Sequence, residues 1–160
     1  MVRLKIYEVK SEYVQYLSKY HEHLFYDKKG GNKRKYIGII LEIDNYKYFA
    51  PLSSFKEKHR KIKEGVDFIK IKDYAVININ NMIPVPKSAY YCPDINLEKN
   101  PHYRYLLQAE SREINRQKNR ILKNAQIVYS HKKKYGASTL LAKRTNDFDI
   151  LEKLCDSFNG

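Results

Sequence analysis

Hydrophobic and polar positions follow the period of a strand at the start of the chain and then that of a helix. Residues 3–9 (RLKIYEV) alternate apolar and polar side chains, which predicts a half-buried strand. Ser11 can cap a short helix, in which aromatic and aliphatic residues recur at helical spacing. Residues 27–35 (DKKGGNKRK) have nothing to bury and include two adjacent glycines, so we expect a basic loop.

The centre of the chain carries the strongest strand pattern. Residues 36–43 (YIGIILEI) and 46–52 (YKYFAPL) are rich in β-branched and aromatic residues, and the Asp-Asn dipeptide between them predicts a hairpin turn. Pro51 has no backbone N–H, so we expect the second strand to end or to reach a sheet edge there. Residues 67–72 and 74–83 predict two further strands.

Helical periodicity takes over near residue 101. An apolar stripe over residues 101–129 predicts one long helix, with Pro101 in its first turn. Glu110 and Gln117 interrupt the stripe, so we expect the middle of this helix to avoid deep burial. A basic loop (HKKKY, residues 131–135) and a final amphipathic helix near residues 147–158 are predicted to follow.

Length and composition indicate one α+β domain over residues 1–160, because a domain usually takes about 100–200 residues. No apolar run approaches the roughly 20 residues of a membrane-spanning helix, and the start of the chain lacks a secretory pattern. We therefore expect a cytoplasmic protein. Cys92 and Cys155 show no spacing typical of a disulfide framework or a zinc ribbon.

The net charge of +13 predicts a polyanionic partner, because neutralising phosphates releases counterions. A membrane surface is the rival polyanion, but a helix that binds it usually presents Trp or Phe on its apolar face, and Trp is absent. The 15 tyrosines include residues suited to stacking on unpaired bases, which favours RNA or single strands, although many of them are core residues.

Candidate chemistry concentrates after the second hairpin strand. Ser53 and Ser54 leave the strand end, and Lys56 and His59 follow. A strand end with a polar turn exposes N–H and hydroxyl groups that suit an oxyanion, although the same pattern is typical of a purely structural turn. His21 and His23 lack neighbouring ligands at metal spacing, so we predict neither a metal site nor a cofactor.

Three segments together resemble the type III toxin–antitoxin endoribonucleases of the ToxN/AbiQ family. They are KIYEVKSEYVQYL, YIGIILEIDNYKYFAPLSSFKEKH and VININNMIPVP, and the resemblance covers roughly residues 4–125 in the same order. It implies a compact, highly twisted antiparallel sheet flanked by helices, similar to the MazF/Kid toxins. It also implies metal-independent cleavage of single-stranded RNA to 2′,3′-cyclic phosphate and 5′-hydroxyl ends. A repeated pseudoknot RNA antitoxin, processed by the toxin, is the implied partner, with phage abortive infection as a role.

The resemblance also implies catalytic positions. The family's hydroxyl pair and lysine fall on Ser53, Ser54 and Lys56, and its loop tyrosine falls on Tyr26. Its loop lysine falls on Lys33 by residue identity, or on Arg34 by counting back from the next strand. Basic residues and one histidine complete the predicted RNA contacts: Arg34, Lys35, Lys58, His59, Arg112, Arg116 and Arg120.

Two other functions fit the composition. A non-catalytic RNA-binding module would use charge and tyrosines alone. A DNA-binding regulator would read a groove with the helix face that carries Arg112, Arg116 and Arg120, although such a face is also typical of a solvated helix.

Overall fold

An antiparallel sheet with helices around it forms the protein, as the sequence predicts. The computed structural model describes residues 3–21 and 34–159. Within these residues, seven strands form one sheet in the order β4-β5-β3-β2-β1-β7, and β6 pairs with β3 beside this path. The strands are β1 (Lys5–Val9), β2 (Lys35–Ile43), β3 (Tyr46–Ser54), β4 (Phe68–Ile71), β5 (Ala75–Asn78), β6 (Ile83–Pro84) and β7 (Tyr90–Tyr91).

Six α-helices lie within the described residues. They are α1 (Ser11–Ser18), α2 (Glu57–Lys61), α3 (Pro101–Arg116), α4 (Lys118–Tyr135), α5 (Leu140–Arg144) and α6 (Phe148–Ser157). The core lies between the sheet and its helices, with β2 packed against α4 and β6 against α6. None of the helices described has the length and apolar character needed to cross a bilayer.

The predicted hairpin is confirmed. β2 and β3 pair across a two-residue turn in which Asp44 and Asn45 have φ angles of 49° and 71°. Positive φ at both positions is the conformation that matches the twist of a hairpin. The pairing register shifts between Ile37 and Leu41, and Gly38 lies in this irregular stretch.

Pro51 does not end its strand, so that prediction is wrong. β3 continues to Ser54, with Pro51 opposite Tyr36 of β2. On the other side of β3, β6 pairs with residues 48–49 and β5 pairs with residues 52–54. Pro51 lies between these two partner strands, where its missing N–H removes no ladder hydrogen bond.

Two other predicted elements need correction. The strand expected over residues 74–83 ends at Asn78, and a 3₁₀ turn over Ile79–Asn81 separates β5 from β6. The Ile79 N–H donates to the Asp67 carbonyl at 2.8 Å, which turns the chain away from the sheet. Ser11 is the first residue of α1, and Lys10 holds the cap position without a side-chain hydrogen bond.

The long helix is in fact two helices, and the second one includes the predicted basic loop. Gln117 ends α3 because its side-chain amide donates to the Lys70 carbonyl of β4 at 3.2 Å and to the Glu113 carboxylate at 2.7 Å. α4 then continues through HKKKY to Tyr135. Lys133 pairs there with Asp149 of α6, and basic residues suit the C-terminal end of a helix.

Deep burial in the middle of α3 also contradicts the sequence expectation. Glu110 and Glu113 are both only 5% exposed. Hydrogen bonds from Arg116 and Gln117 hold the pKa of Glu113 at about 2. Burial raises the pKa of Glu110 to about 7.

Candidate active site

A cleft of about 840 Å³ lies where β3 ends and α2 begins. Part of the lining comes from the start of β2, the end of β3 and α2, and the part that we call the Arg144 wall (Asp67, Asn78, Asn80 and Arg144) comes from the start of β4, the end of β5, the turn after it and α5. The polar side chains that line it are Arg34, Lys35, Ser53, Ser54, Lys56, Lys58, His59, Lys63, Asp67, Asn78, Asn80, Tyr103 and Arg144. The cleft is larger than a single side chain, and most of its lining residues are polar. It therefore suits a polar ligand.

Ser53 and Ser54 leave the sheet at a fixed place. They pair with Val76 and Ala75 of β5, so the backbone that carries their hydroxyls is held by the ladder. Arg34, at the start of β2, donates from Nη1 to Ser53 Oγ at 2.9 Å. The structure thus brings a guanidinium to the predicted hydroxyl pair.

Lys56 caps α2 and is coupled to His59 through the backbone. The Lys56 N–H donates to His59 Nδ1 at 2.8 Å, and the His59 N–H donates to the Lys56 carbonyl at 2.8 Å. These two bonds close the turn that carries Lys56, whose exposed side chain lines the cleft. Residues that are adjacent in sequence therefore form the predicted corner of Ser53, Ser54 and Lys56.

His59 is neutral in this arrangement. Its ring is buried between those of Phe55 and Phe68, with centroid distances of 5.6 and 5.9 Å. Burial lowers the pKa of His59, and the ammonium groups of Lys58, Lys56 and Lys70 lower it further. Because Nδ1 accepts a hydrogen bond, the ring proton resides on Nε2, which makes Nε2 a donor at the cleft.

The other basic residues predicted to contact RNA differ in whether a carboxylate already binds their side chain. Lys35 lines the cleft, but its ammonium donates to Glu8 at 2.8 Å. Lys58 is exposed and lines the same space. Lys63, which sequence reasoning missed, adds another ammonium to the wall.

The structure does not bring the helix arginines into the cleft. Arg116 is bound by Glu113, and Arg120 donates to Glu64 at 2.6 Å. Arg112 is exposed on α3, and none of the three arginines lines the cleft. Tyr26 and Lys33 lie outside the described residues.

Sequence reasoning also missed the Arg144 wall. Arg144 of α5 reaches Asp67, which precedes β4, across 77 positions of sequence. The asparagines of VININNMIPVP, Asn78 and Asn80, interrupt an apolar run and were the one available signal. Among residues 3–21 and 34–159, no three His, Cys, Asp or Glu side chains are grouped as a metal site would require.

Comparison with known proteins identifies the family of this chain. A family model described as "Toxin ToxN, type III toxin-antitoxin system" matches residues 5–156. The chain belongs to this ToxN family. The match contains the whole described cleft, from Arg34 to Arg144.

Curated relatives carry names that agree with the family. Endoribonuclease ToxN of Bacillus thuringiensis subsp. kurstaki is 26% identical, over 96% of this chain and 84% of that protein. Endoribonuclease ToxN of Pectobacterium atrosepticum is 31% identical, over 65% of this chain and 67% of that protein. Endoribonuclease AbiQ of Lactococcus lactis subsp. lactis is 28% identical, over 93% and 86%.

Solved structures share the fold over nearly the whole chain. AbiQ, described as a lactococcal anti-phage endoribonuclease of a type III system, superposes with a TM-score of 0.85 at 23% identity, over 97% of both chains. A structure from work on a processed non-coding RNA that regulates a bacterial antiviral system gives 0.84 at 25% identity, over 98% and 99%. A third, concerning selective toxin inhibition by an RNA pseudoknot, gives 0.81 at 25%, over 97% of both chains. The α+β fold class is confirmed, and the likeness to the MazF/Kid toxins stays a prediction.

Proposed function

We propose that this chain is a single-domain endoribonuclease toxin that cleaves single-stranded RNA without a metal ion. The observation that carries the proposal is one corner of the cleft, where Ser53, Ser54 and Lys56 lie together and Arg34 donates to Ser53. The names of the relatives support the activity, and the cleavage chemistry is the one that the family resemblance implies, with which the groups in this corner are consistent.

The ribose 2′-hydroxyl is the nucleophile in this mechanism. It attacks the adjacent phosphorus, the bond to the 5′-oxygen breaks, and 2′,3′-cyclic phosphate and 5′-hydroxyl ends result. The protein must therefore align the 2′-oxygen with the leaving 5′-oxygen and stabilise the charge that develops on the phosphorane. Lys56, the two serine hydroxyls and the Arg34 guanidinium are the groups we assign to that charge.

Proton transfer needs groups other than Arg34, because a guanidinium keeps its proton. Tyr26 and Lys33 keep the catalytic roles that the family resemblance implies for them. His59, as a neutral Nε2 donor, together with Lys58 and Lys35, is assigned to binding RNA at the cleft. Arg112, Arg116 and Arg120 remain a proposed RNA contact outside it.

An RNA antitoxin is the proposed partner and inhibitor. Solved relatives come from work on a non-coding RNA that regulates an antiviral system and on a pseudoknot that inhibits the toxin. The charge of +13 supports such a partner, since RNA can neutralise it. We propose that this chain processes repeated pseudoknots, forms an RNA-bridged hetero-oligomer in the cytoplasm, and acts in phage defence.

The deciding experiment is cleavage of a defined single-stranded RNA in excess EDTA, with identification of the product ends. We expect cyclic phosphate ends from the wild type, and a loss of about 100-fold or more in rate for Lys56→Ala. Lys61→Ala is the matched control, because Lys61 is exposed on the same helix and does not line the cleft.

Other outcomes separate the alternatives. RNA that is bound in a salt-sensitive manner but stays intact would establish the non-catalytic binding module. Cleavage that EDTA abolishes would contradict the metal-free mechanism. A preference for duplex DNA over single-stranded RNA in competition would favour the DNA-binding regulator.

A further inference from the structure

The Arg144 wall of the cleft holds a guanidinium in a fixed orientation. Arg144 donates from Nε to Asp67 Oδ2 at 2.7 Å and from Nη2 to Oδ1 at 2.9 Å. The Asp67 side chain is 7% exposed, whereas that of Arg144 is 53% exposed. A buried carboxylate therefore holds one edge of the guanidinium, while the rest faces the cleft.

The backbone that carries Arg144 is also held on several sides. The Lys132 ammonium donates to the Ala142 carbonyl at 2.8 Å. Asn80 Nδ2 donates to the Arg144 carbonyl at 3.1 Å, and the Asn146 N–H donates to the Asn80 carbonyl at 3.0 Å. α5 is thus fastened to α4 and to the turn after β5, so the position of Arg144 relative to the cleft is defined.

The bond to Asp67 leaves part of the donor set of Arg144 available. A guanidinium has five N–H donors, and the paired Nε and Nη2 contacts use one donor from each. The remaining N–H groups of Nη1 and Nη2 include two parallel donors at the end of the side chain. Within the part of the chain that the structure describes, no other hydrogen bond engages them.

The charge on the Arg144 wall differs from that around the corner of Ser53, Ser54 and Lys56. Asp67 neutralises Arg144, and the nearby Asn78 and Asn80 side chains are uncharged. Lys56, Lys58 and Lys63 offer exposed ammonium groups elsewhere in the same cleft. Phosphates bind best to unneutralised cations, whereas a rigid and charge-balanced donor pair suits the edge of a base.

We propose that Arg144, held by Asp67, determines specificity by binding the N7 edge of a purine next to the cleaved phosphate. N7 is an acceptor that both purines present and pyrimidines lack, and unpaired RNA exposes it. An asparagine amide can donate to guanine O6 or accept from adenine N6, so Asn78 and Asn80 fit either base. The inference rests on the proposed ribonuclease function and adds a substrate preference to it.

The test uses short RNAs that contain one 7-deazaguanosine or one 7-deazaadenosine in place of a single purine around the mapped cut. For the wild type, we expect one such position to lower kcat/KM by about 5- to 100-fold, since a good arginine–base contact discriminates to that extent. For Arg144→Met, which has no donor for N7, we expect 7-deaza and normal RNAs to react alike at that position. The analogue that causes the loss identifies the purine.

Arg60→Met is the matched control. Arg60 also pairs with a carboxylate, that of Glu57 at 2.9 Å, but it does not line the cleft. The control should keep the full 7-deaza effect. Asp67→Asn provides a second variant, which we expect to weaken the effect because the guanidinium loses its orientation, and thermal melting checks that each variant is folded.

Binding of the same RNAs to Lys56→Ala separates this proposal from the proposed function. If the wild type cleaves nothing, the ribonuclease function fails, but the 7-deaza effect on binding still decides the role of Arg144. Two results would overturn the inference: no 7-deaza effect at any position, or a loss in Arg144→Met that is equal for every RNA, as a phosphate contact would produce.

Discussion

The protonation state of His59 affects the backbone turn that carries Lys56. Its Nδ1 accepts the Lys56 N–H only while the ring is neutral. The lowered pKa of His59 reflects burial and the nearby Lys58, Lys56 and Lys70, and the Phe55 and Phe68 rings pack against it. Protonation would therefore break the cap that positions Lys56.

We expect this coupling to appear as an acid limb in the pH profile of kcat/KM. Because the pKa of His59 in the folded protein lies below the ordinary value of about 6.5, kcat/KM should be at its plateau above pH 6.5 and should fall as pH falls through that lower pKa. His59→Asn keeps an acceptor but cannot titrate, so its profile should lack this limb. His102→Asn, at an exposed histidine of α3, should retain it; an unchanged limb in His59→Asn would assign the titration elsewhere.

The raised pKa of Glu110 predicts a pH dependence of folding stability: the free energy of unfolding should be lower at high pH. Its pKa is raised by burial from 4.5 to about 7, so folding disfavours the ionised form. The unfolded carboxyl releases its proton first, and the free energy of unfolding therefore falls as pH rises from about 4.5 to 7, by about 3 kcal/mol. Urea unfolding of Glu110→Gln should match the wild type near pH 4.5 and exceed it at pH 8. Equal stability at pH 8 would contradict this account.

At the scale of elements, the β2–β3 hairpin depends on a close contact between its strands. A Cβ atom added to Gly38 would lie 2.3 Å from Cδ2 of the Phe49 ring, and that ring is fully buried. The ring has no exposed space into which it can move. The apolar pattern predicted the hairpin, but it did not predict that this position has to be glycine.

Gly38→Ala should lower the free energy of unfolding by about 1–3 kcal/mol, as overpacking of a core does. In a chain of this size, that corresponds to a fall of roughly 2–12 °C in Tm. Gly65→Ala is the control, because the nearest atom to its added Cβ is Asp67 Oδ1 at an ordinary 3.6 Å. Similar melting temperatures for the two variants would show that Phe49 shifts without cost.

At the scale of the whole molecule, the net charge of +13 is distributed over sites of unequal availability. Lys58 is exposed at the cleft, and Arg112 is exposed on α3. Carboxylates bind Lys35, Arg116 and Arg120. Charge counts from sequence treat all these residues alike, but counterion release depends on which of them contact phosphate.

The salt dependence of RNA binding tests which residues those are. For each lost contact to single-stranded RNA, the slope of log affinity against log salt should fall by about 0.7. We expect that change for Lys58→Ala and for Arg112→Ala, and no change for Lys123→Ala, a control at an exposed lysine of α4. An unchanged slope for Arg112→Ala would make the arginine face of α3 a solvated surface.

The sequence by itself determined the features that depend on near neighbours. The turn between β2 and β3 needs two residues that tolerate positive φ, and Asp44-Asn45 supplies them between two strand patterns. The corner from Ser53 to His59 spans seven consecutive residues, so its grouping follows from the chain itself. The final helix, capped by Asp147, follows from its own apolar face.

Only the tertiary structure decided the features that join distant segments. Gln117 interrupts a continuous helical pattern because β4 offers it a carbonyl. Pro51 is tolerated inside the sheet because two separate strands flank it. Arg144 reaches the cleft because a carboxylate 77 residues earlier in the chain binds it. Each of these outcomes depends on a partner that no local pattern specifies, and so each required the folded arrangement.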